Sequence, residues 1–190
     1  MKKILIIGAT GGLAQHVIEA AQQNPELELT LFARQPNRIP SRLAEGATLI
    51  EGNAMNIADL EAAILGKDLV YVNLAGNLDA MSQNIVAAMK STGVSRIVAI
   101  SSIGIYKTPL QSVLVPYRKL ADNIEASGLD YTIIRPDWFT SGSEIDYHIT
   151  RTPEAEVGGA VSQKSIAHCV NEIFDNPELY LRENVGISRL

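Results

Sequence analysis

Short apolar runs alternate with helically patterned stretches along the whole chain, and this alternation constrains the fold more than any other feature. Residues 3–7, unbroken apolar from Ile4 on, form a run of the kind buried on both faces of a sheet. Leu13, Val17 and Ala20 follow at helical spacing until Asn24-Pro25 stops the helix. Residues 27–33 and 47–51 read as the second and third strands, and Pro36 and Pro40 between them leave room for little regular helix. Ile57, Leu60, Ala63 and Ile64 mark the next helix, closed by Gly66, and residues 69–73 a fourth strand. Met81, Ile85, Ala88 and Met89 stripe a longer helix ending near Gly93, before a fifth strand at 96–100. A helix carrying Leu120 and Ile124 reaches Ser127-Gly128, and residues 131–134 form a sixth strand stopped by Arg135-Pro136. Residues 137–159 show no clear period. Ile166, Cys169, Val170, Ile173 and Phe174 define a last helix, and residues 185–188 fit a final strand.

Strands alternating with helices imply parallel βαβ units with right-handed crossovers. The predicted fold is α/β: a Rossmann-type doubly wound parallel sheet flanked by helices on both faces. At 190 residues, against about 150 per domain, residues 1–190 read as a single domain, with residues 137–160 contributing the substrate-side loop.

Sixteen Lys and Arg against 21 Asp and Glu give a net charge of −5, which argues against direct nucleic-acid binding. One cysteine, Cys169, cannot form an internal disulfide and suits a reducing compartment. The opening apolar run stops at Gly8, too short for a secretory leader, and no stretch approaches the roughly 20 apolar residues that span a bilayer. The expectation is a cytoplasmic protein without a membrane partner, and no feature of the sequence sets its oligomeric state.

Gly8-Ala9-Thr10-Gly11-Gly12-Leu13-Ala14 joins the first strand to the first helix. Gly8 permits a tight turn, Gly11 and Gly12 let backbone approach a pyrophosphate, and Ala14 keeps helix and strand close. The helix N-terminus then offers free N–H donors to phosphate. A glycine-rich turn alone is weak evidence, but a strand before it, a helix after it and a second strand on schedule point to dinucleotide binding. A Walker A loop is excluded, because no Gly-Lys-Ser/Thr follows at the required spacing.

The second strand ends Phe32-Ala33-Arg34, and no Asp or Glu occurs between Leu29 and Ala44. NAD-specific sites place an acid there for the ribose hydroxyls. Arg34 is instead suited to a 2′-phosphate, with Arg38 as a possible helper, so NADP(H) is the expected cofactor. The alternative for either arginine is a solvated surface charge.

Gly8-x-x-Gly11-x-x-Ala14, Asn73-Leu74-Ala75-Gly76 and Ser101-Ser102-Ile103-Gly104 resemble the short-chain dehydrogenase/reductase superfamily. The stretch from Lys119 through Asp122 and Ile124 to Ser127-Gly128-Leu129-Asp130-Tyr131-Thr132-Ile133-Ile134-Arg135-Pro136 is more specific. With Gly159-Ala160-Val161-Ser162, it resembles the small atypical members, the NmrA-like and biliverdin reductase B/flavin reductase-like proteins. The resemblance implies that Gly8, Thr10, Gly11, Gly12 and Leu13 surround the pyrophosphate and Arg34 the 2′-phosphate. Asn53 and Ala54 would lie beside adenine, and Leu74, Ala75 and Gly76 beside the adenosine ribose and phosphates. Ser101, Ser102, Lys119 and Pro136 would line the nicotinamide side. Relatives usually carry Asp in the Gly52-Asn53 pair; asparagine still offers a carbonyl to the adenine amine.

The superfamily's catalytic pair, a tyrosine four residues before a lysine, is broken: Val115 stands four residues before Lys119. Tyr117 is two residues away, about 200° around a helix, so it and Lys119 cannot share a face. Ser102, Lys119 and Tyr117 are the catalytic candidates. Lys119 either binds the nicotinamide ribose or is an exposed helix lysine, and Ser102 either polarises a substrate or turns the chain. Tyr106, Trp138, Phe139 and His148 are candidates for the substrate side, the latter three within an aromatic cluster that includes Tyr147. They form a pocket or lid, or else satellite packing under a loop. His16, His148 and His168 are scattered, with no metal-ligand spacing, and Cys169 sits on an apolar helix stripe. Two functions follow. The chain is an NADP(H)-dependent oxidoreductase passing hydride to a small, planar flavin- or quinone-like acceptor, or a non-catalytic NmrA-like NADP(H)-binding sensor with a protein partner.

Overall fold

The structure is a computed structural model and describes residues 1–152 and 154–190. Strand β1 (Lys2–Ile7) lies inside the sheet, paired in parallel with β2 (Leu27–Ala33) on one side and β4 (Leu69–Val72) on the other. Its run of apolar residues serves both faces. Ile4 and Ile6 enter one core cluster, Leu5 and Ile7 the other. That two-sided burial is why the strand reads as unbroken apolar sequence rather than as alternation.

With β3 (Thr48–Glu51), β5 (Arg96–Ile100), β6 (Asp130–Pro136), β8 (His148–Arg151) and β10 (Glu183–Ser188), the sheet order is β3-β2-β1-β4-β5-β6-β10-β8. All pairs are parallel except β10 with β8. Helices α1 (Gly12–Ala21), α2 (Ser41–Ala44) and α6 (Gln163–Asp175) contribute to one core cluster. Helices α3 (Ile57–Ile64), α4 (Leu78–Thr92) and α5 (Val115–Glu125) contribute to the other. The chain leaves β1 towards β2 and β3 on the first face and returns to β4 on the second. The carboxyl ends of β1 and β4 therefore form the switch point at which doubly wound sheets open a crevice.

The aperiodic stretch holds more structure than its pattern predicts. Two-residue strands β7 (Phe139–Thr140) and β9 (Val161–Ser162) pair in parallel, and β8 extends the sheet edge antiparallel to β10. An edge strand with one fully buried residue, Thr150, leaves too little apolar signal to read. Among the described residues no helix is long and apolar enough to cross a membrane.

Tyr71 in β4 is fully buried, packed edge-on to Phe174 with ring centroids 5.9 Å apart. Its hydroxyl has no hydrogen-bond partner among the described residues, and burial pushes the phenol pKa upward. Tyr71→Phe removes that buried polar group at almost constant volume. It is expected to raise stability by about 1 kcal/mol, or Tm by about 2–4 °C, in a thermal melt.

Candidate functional site

Gly8 follows β1 with φ +86°, and a Cβ there would lie 2.0 Å from the carbonyl oxygen of Asn73, just past β4. Glycine alone lets the two strand ends meet. A Cβ on Gly11 would also be tight, 3.3 Å from Asn73 Nδ2 and 3.4 Å from the Gly8 carbonyl. The turn is braced from outside: the Gly8 N–H donates to Phe32 O at 3.1 Å, and Gln15 Nε2 donates to Thr10 O at 3.2 Å.

Gly11 is the N-cap of α1, with no side-chain cap and no acid in the first turn. Gln15 N–H donates to Gly11 O at 3.0 Å, so the amides of Gly12, Leu13 and Ala14 belong to the first turn, where a helix has no carbonyl to give them. Asn56 and Asn77, by contrast, cap α3 and α4 with their own side chains. The α1 terminus thus offers amides and a positive dipole end to an anion, beside a cradle that any side chain would fill.

A cleft of about 1290 Å³ runs from this turn across the carboxyl ends of the strands. That lies above the roughly 300–1,000 Å³ usual for small-molecule sites. Gly8, Thr10, Gly11, Gly12 and Leu13 line the cleft at the turn after β1. Arg34, exposed and without an ion-pair partner among the described residues, stands at its outer end after β2. Asn53 and Ala54, past β3, and Leu74, Ala75 and Gly76, past β4, also line the cleft.

Ser101, Ser102 and Pro136 line the second half with Tyr117, Trp138 and Phe139. Ser101 is buried and donates its hydroxyl to Tyr117 O at 3.0 Å, tying the end of β5 to α5. Ser102 is half-buried with its hydroxyl on Ile103 O at 3.1 Å. Ile103 N–H in turn donates to Pro136 O at 3.0 Å. Trp138 is 82% exposed and Phe139 49%, so this half presents bare aromatic surface.

Several sequence expectations change. Lys119 is exposed and does not line the cleft; it lies near Asp79, whose carboxyl pKa is lowered chiefly by bonds from Asn123 and Gln83 and slightly by this lysine. Tyr117 faces the cleft instead, as the 200° between the two residues demands once one of them points inward. Tyr106 also lies outside. Its hydroxyl accepts from Asn184 Nδ2 at 2.7 Å, and Arg118 and Arg135 flank its ring. Burial, reinforced by Glu125, pushes its pKa up to about 12, the wrong direction for a proton donor. His148 sits in β8 opposite Ser188, away from the cleft, because the aperiodic segment carries it to the far sheet edge. Tyr147 goes the same way and donates to Glu172 at 2.5 Å. Only Trp138 and Phe139 of that aromatic cluster remain at the cleft. Arg38 does not line it either.

Asn53 Oδ1 already accepts the Met55 N–H at 3.0 Å, leaving one lone pair for any ligand. Cys169 is buried, and burial raises its thiol to about 12, so it is unreactive core. Among the described residues no group of three or more His, Cys, Asp or Glu could hold a metal. Asn73, Lys107 and Asp137 line the cleft without having been singled out as site residues. The positions of Asn73 and Asp137, just past β4 and β6, were the available signal.

The sequence profile described as NAD(P)H-binding matches residues 8–177. The chain belongs to that NAD(P)H-binding family. Among curated relatives, an uncharacterized sugar epimerase, YhfK, of Bacillus subtilis is 31% identical over 155 residues, covering 70% of this chain and 71% of that protein. An isoflavone reductase homolog of Nicotiana glauca, A622, is 29% identical over 150 residues, 72% of this chain. The chain spans about half of that relative's length, 48%. Among solved structures, a Rossmann-fold NAD(P)-binding family protein from Shigella flexneri superposes with a TM-score of 0.92 at 42% identity, over 100% of this chain and 94% of the other. A short-chain dehydrogenase/reductase from Veillonella parvula, solved with NADP, superposes at 0.90 with 23% identity over 99% of this chain and 94% of that one, a likeness of fold. The cradle at Gly8 and the uncapped amides of α1 fit a nicotinamide dinucleotide, which this member of the NAD(P)H-binding family is built to hold.

Proposed function

We propose that the protein is an NADPH-dependent reductase of a small, planar acceptor. One observation carries this reading: a single cleft joins the glycine cradle to a compartment walled by Trp138, Phe139 and Tyr117. A relative of Streptomyces griseus, 26% identical over 144 residues, is named (4-alkanoyl-5-oxo-2,5-dihydrofuran-3-yl)methyl phosphate reductase, and A622 is named a homolog of isoflavone reductase. These names agree with the reading.

The amides of Gly12 and Leu13 bind the pyrophosphate, and Arg34 meets the 2′-phosphate with a charge-assisted fork. Leu74, Ala75 and Gly76 border the adenosine ribose, and Asn53 and Ala54 the adenine. Bound NADPH supplies the hydride. Ser102 orients the acceptor through its hydroxyl, and the exposed rings of Trp138 and Phe139 stack on a planar molecule at low entropic cost. Tyr117 carries the only phenol among the described lining residues and hands a proton to the reduced acceptor. Lys119 takes no part.

Turnover is tested by mixing the protein with NADPH and a panel of flavins and quinones and following loss of nicotinamide absorbance. Protein-dependent oxidation with at least one acceptor is expected. Binding of NADPH without turnover across the panel would favour the non-catalytic sensor, a reading that the missing tyrosine–lysine pair supports. With an acceptor in hand, Tyr117→Phe is expected to lower kcat by about 10²-fold, the low end of general acid catalysis. It should leave NADPH affinity within about twofold, and Lys119→Ala should change neither quantity, because its charge lies outside the cleft. An unchanged kcat in Tyr117→Phe would assign the proton to water.

A further inference from the structure

The loop after β5 forms the nicotinamide-side wall of the cleft, and its fixation depends on a segment far away in sequence. Residues 154–160 run over the surface, and Ala155, Val157 and Gly158 in that run are exposed. Glu156 breaks the pattern by turning inward, leaving its side chain 15% exposed. One carboxylate oxygen pairs with Arg135 Nη1, and the other accepts the Gly104 N–H at 3.1 Å. Gly104 itself lines the cleft.

Arg135, in β6, is 2% exposed, and its Nε donates to Asn184 Oδ1 at 2.8 Å. Asn184 extends the network to Tyr106 OH, while Arg118 Nη1 donates to Ile105 O at 3.3 Å. Residues 104, 105 and 106 are thus tethered in succession from behind the wall. The segment bearing Glu156 is itself pinned, because Gly159 and Arg189 exchange backbone bonds of 2.7 and 3.1 Å. A carboxylate that bridges a buried guanidinium and a wall amide fixes both, since among the described residues neither donor finds another acceptor of that charge.

We propose that the Arg135–Glu156 pair is a positioning device that sets the nicotinamide-side wall from outside the cleft. Neither side chain lines the cleft, so both are positioning residues. The inference rests on the proposed NADP(H) site and extends it to residues beyond the ligand's reach. Glu156→Gln keeps the volume but offers one acceptor where two donors converge.

The test is calorimetric titration of NADP⁺ and of 2′,5′-ADP, which lacks the nicotinamide half. Glu156→Gln is expected to weaken NADP⁺ about tenfold, roughly one hydrogen bond's worth, while 2′,5′-ADP stays within about twofold. Fluorescence of bound NADPH should fall in parallel, as a loosened wall admits water to the ring. Glu156→Ala should show the same split more strongly; if it fails to fold, Glu156→Gln alone decides. Unchanged NADP⁺ affinity, or equal losses for both ligands, would overturn the proposal. A wild-type protein that binds neither ligand would instead overturn the cofactor reading beneath it.

Discussion

Gly8→Ala is expected to abolish dinucleotide binding and to destabilise the fold in a single step. Two costs combine. At φ +86° a Cβ brings the strain of the left-handed region, about 1–2 kcal/mol. The same Cβ would also stand 2.0 Å from the Asn73 carbonyl, which is backbone and cannot rotate away. The ends of β1 and β4 must separate, and with them the floor and wall of the cleft. The expected loss is about 3 kcal/mol or more of stability and over 100-fold in NADPH affinity, measured by denaturant melt and titration. Gly46→Ala is the matched control. It has φ +74° but open space around its Cβ, so it should lose only about 1 kcal/mol and bind as before. Equal effects at the two positions would show that backbone strain alone, not the meeting of the strands, makes Gly8 necessary.

Arg34→Ala should separate the two dinucleotides. The residues after β2 offer no acid for ribose hydroxyls, and Arg34, just past β2, lines the cleft with no ion-pair partner among the described residues. A charge-assisted pair with a phosphate contributes about 1.5–3 kcal/mol, so NADP⁺ affinity should fall about 10- to 100-fold. NAD⁺, lacking the 2′-phosphate, should change by less than about threefold. Raising salt should erode the wild-type preference, as it would for an exposed pair. Parallel losses would remove Arg34 from the phosphate site.

The sheet was legible because its strands carry their signal in composition. Strands β2 and β5 span the residues read as strands, 27–33 and 96–100, and β1 differs by one residue. The glycine turn was legible because steric exclusion at Gly8 leaves one permitted residue type. What escaped notice depends on chain path. The spacing of Tyr117 and Lys119 shows that they occupy opposite faces, but which face turns inward is set by how the irregular segment before α5 delivers the helix. His148 and Trp138 lie ten residues apart in one aperiodic stretch, yet only Trp138 lines the cleft, since β8 is recruited to the sheet edge by β10. Glu156 carries no local signal at all. Its partners, Arg135 and Gly104, are 21 and 52 residues away.

Direct titration of the purified protein with NADPH tests the central claim most plainly. One site per chain is expected, with affinity in the micromolar range usual for exchangeable small ligands and weaker uptake of NADH. No heat and no fluorescence change with NADPH, NADP⁺, NADH or NAD⁺ would contradict the account, because a cradle that only glycine permits would then hold nothing.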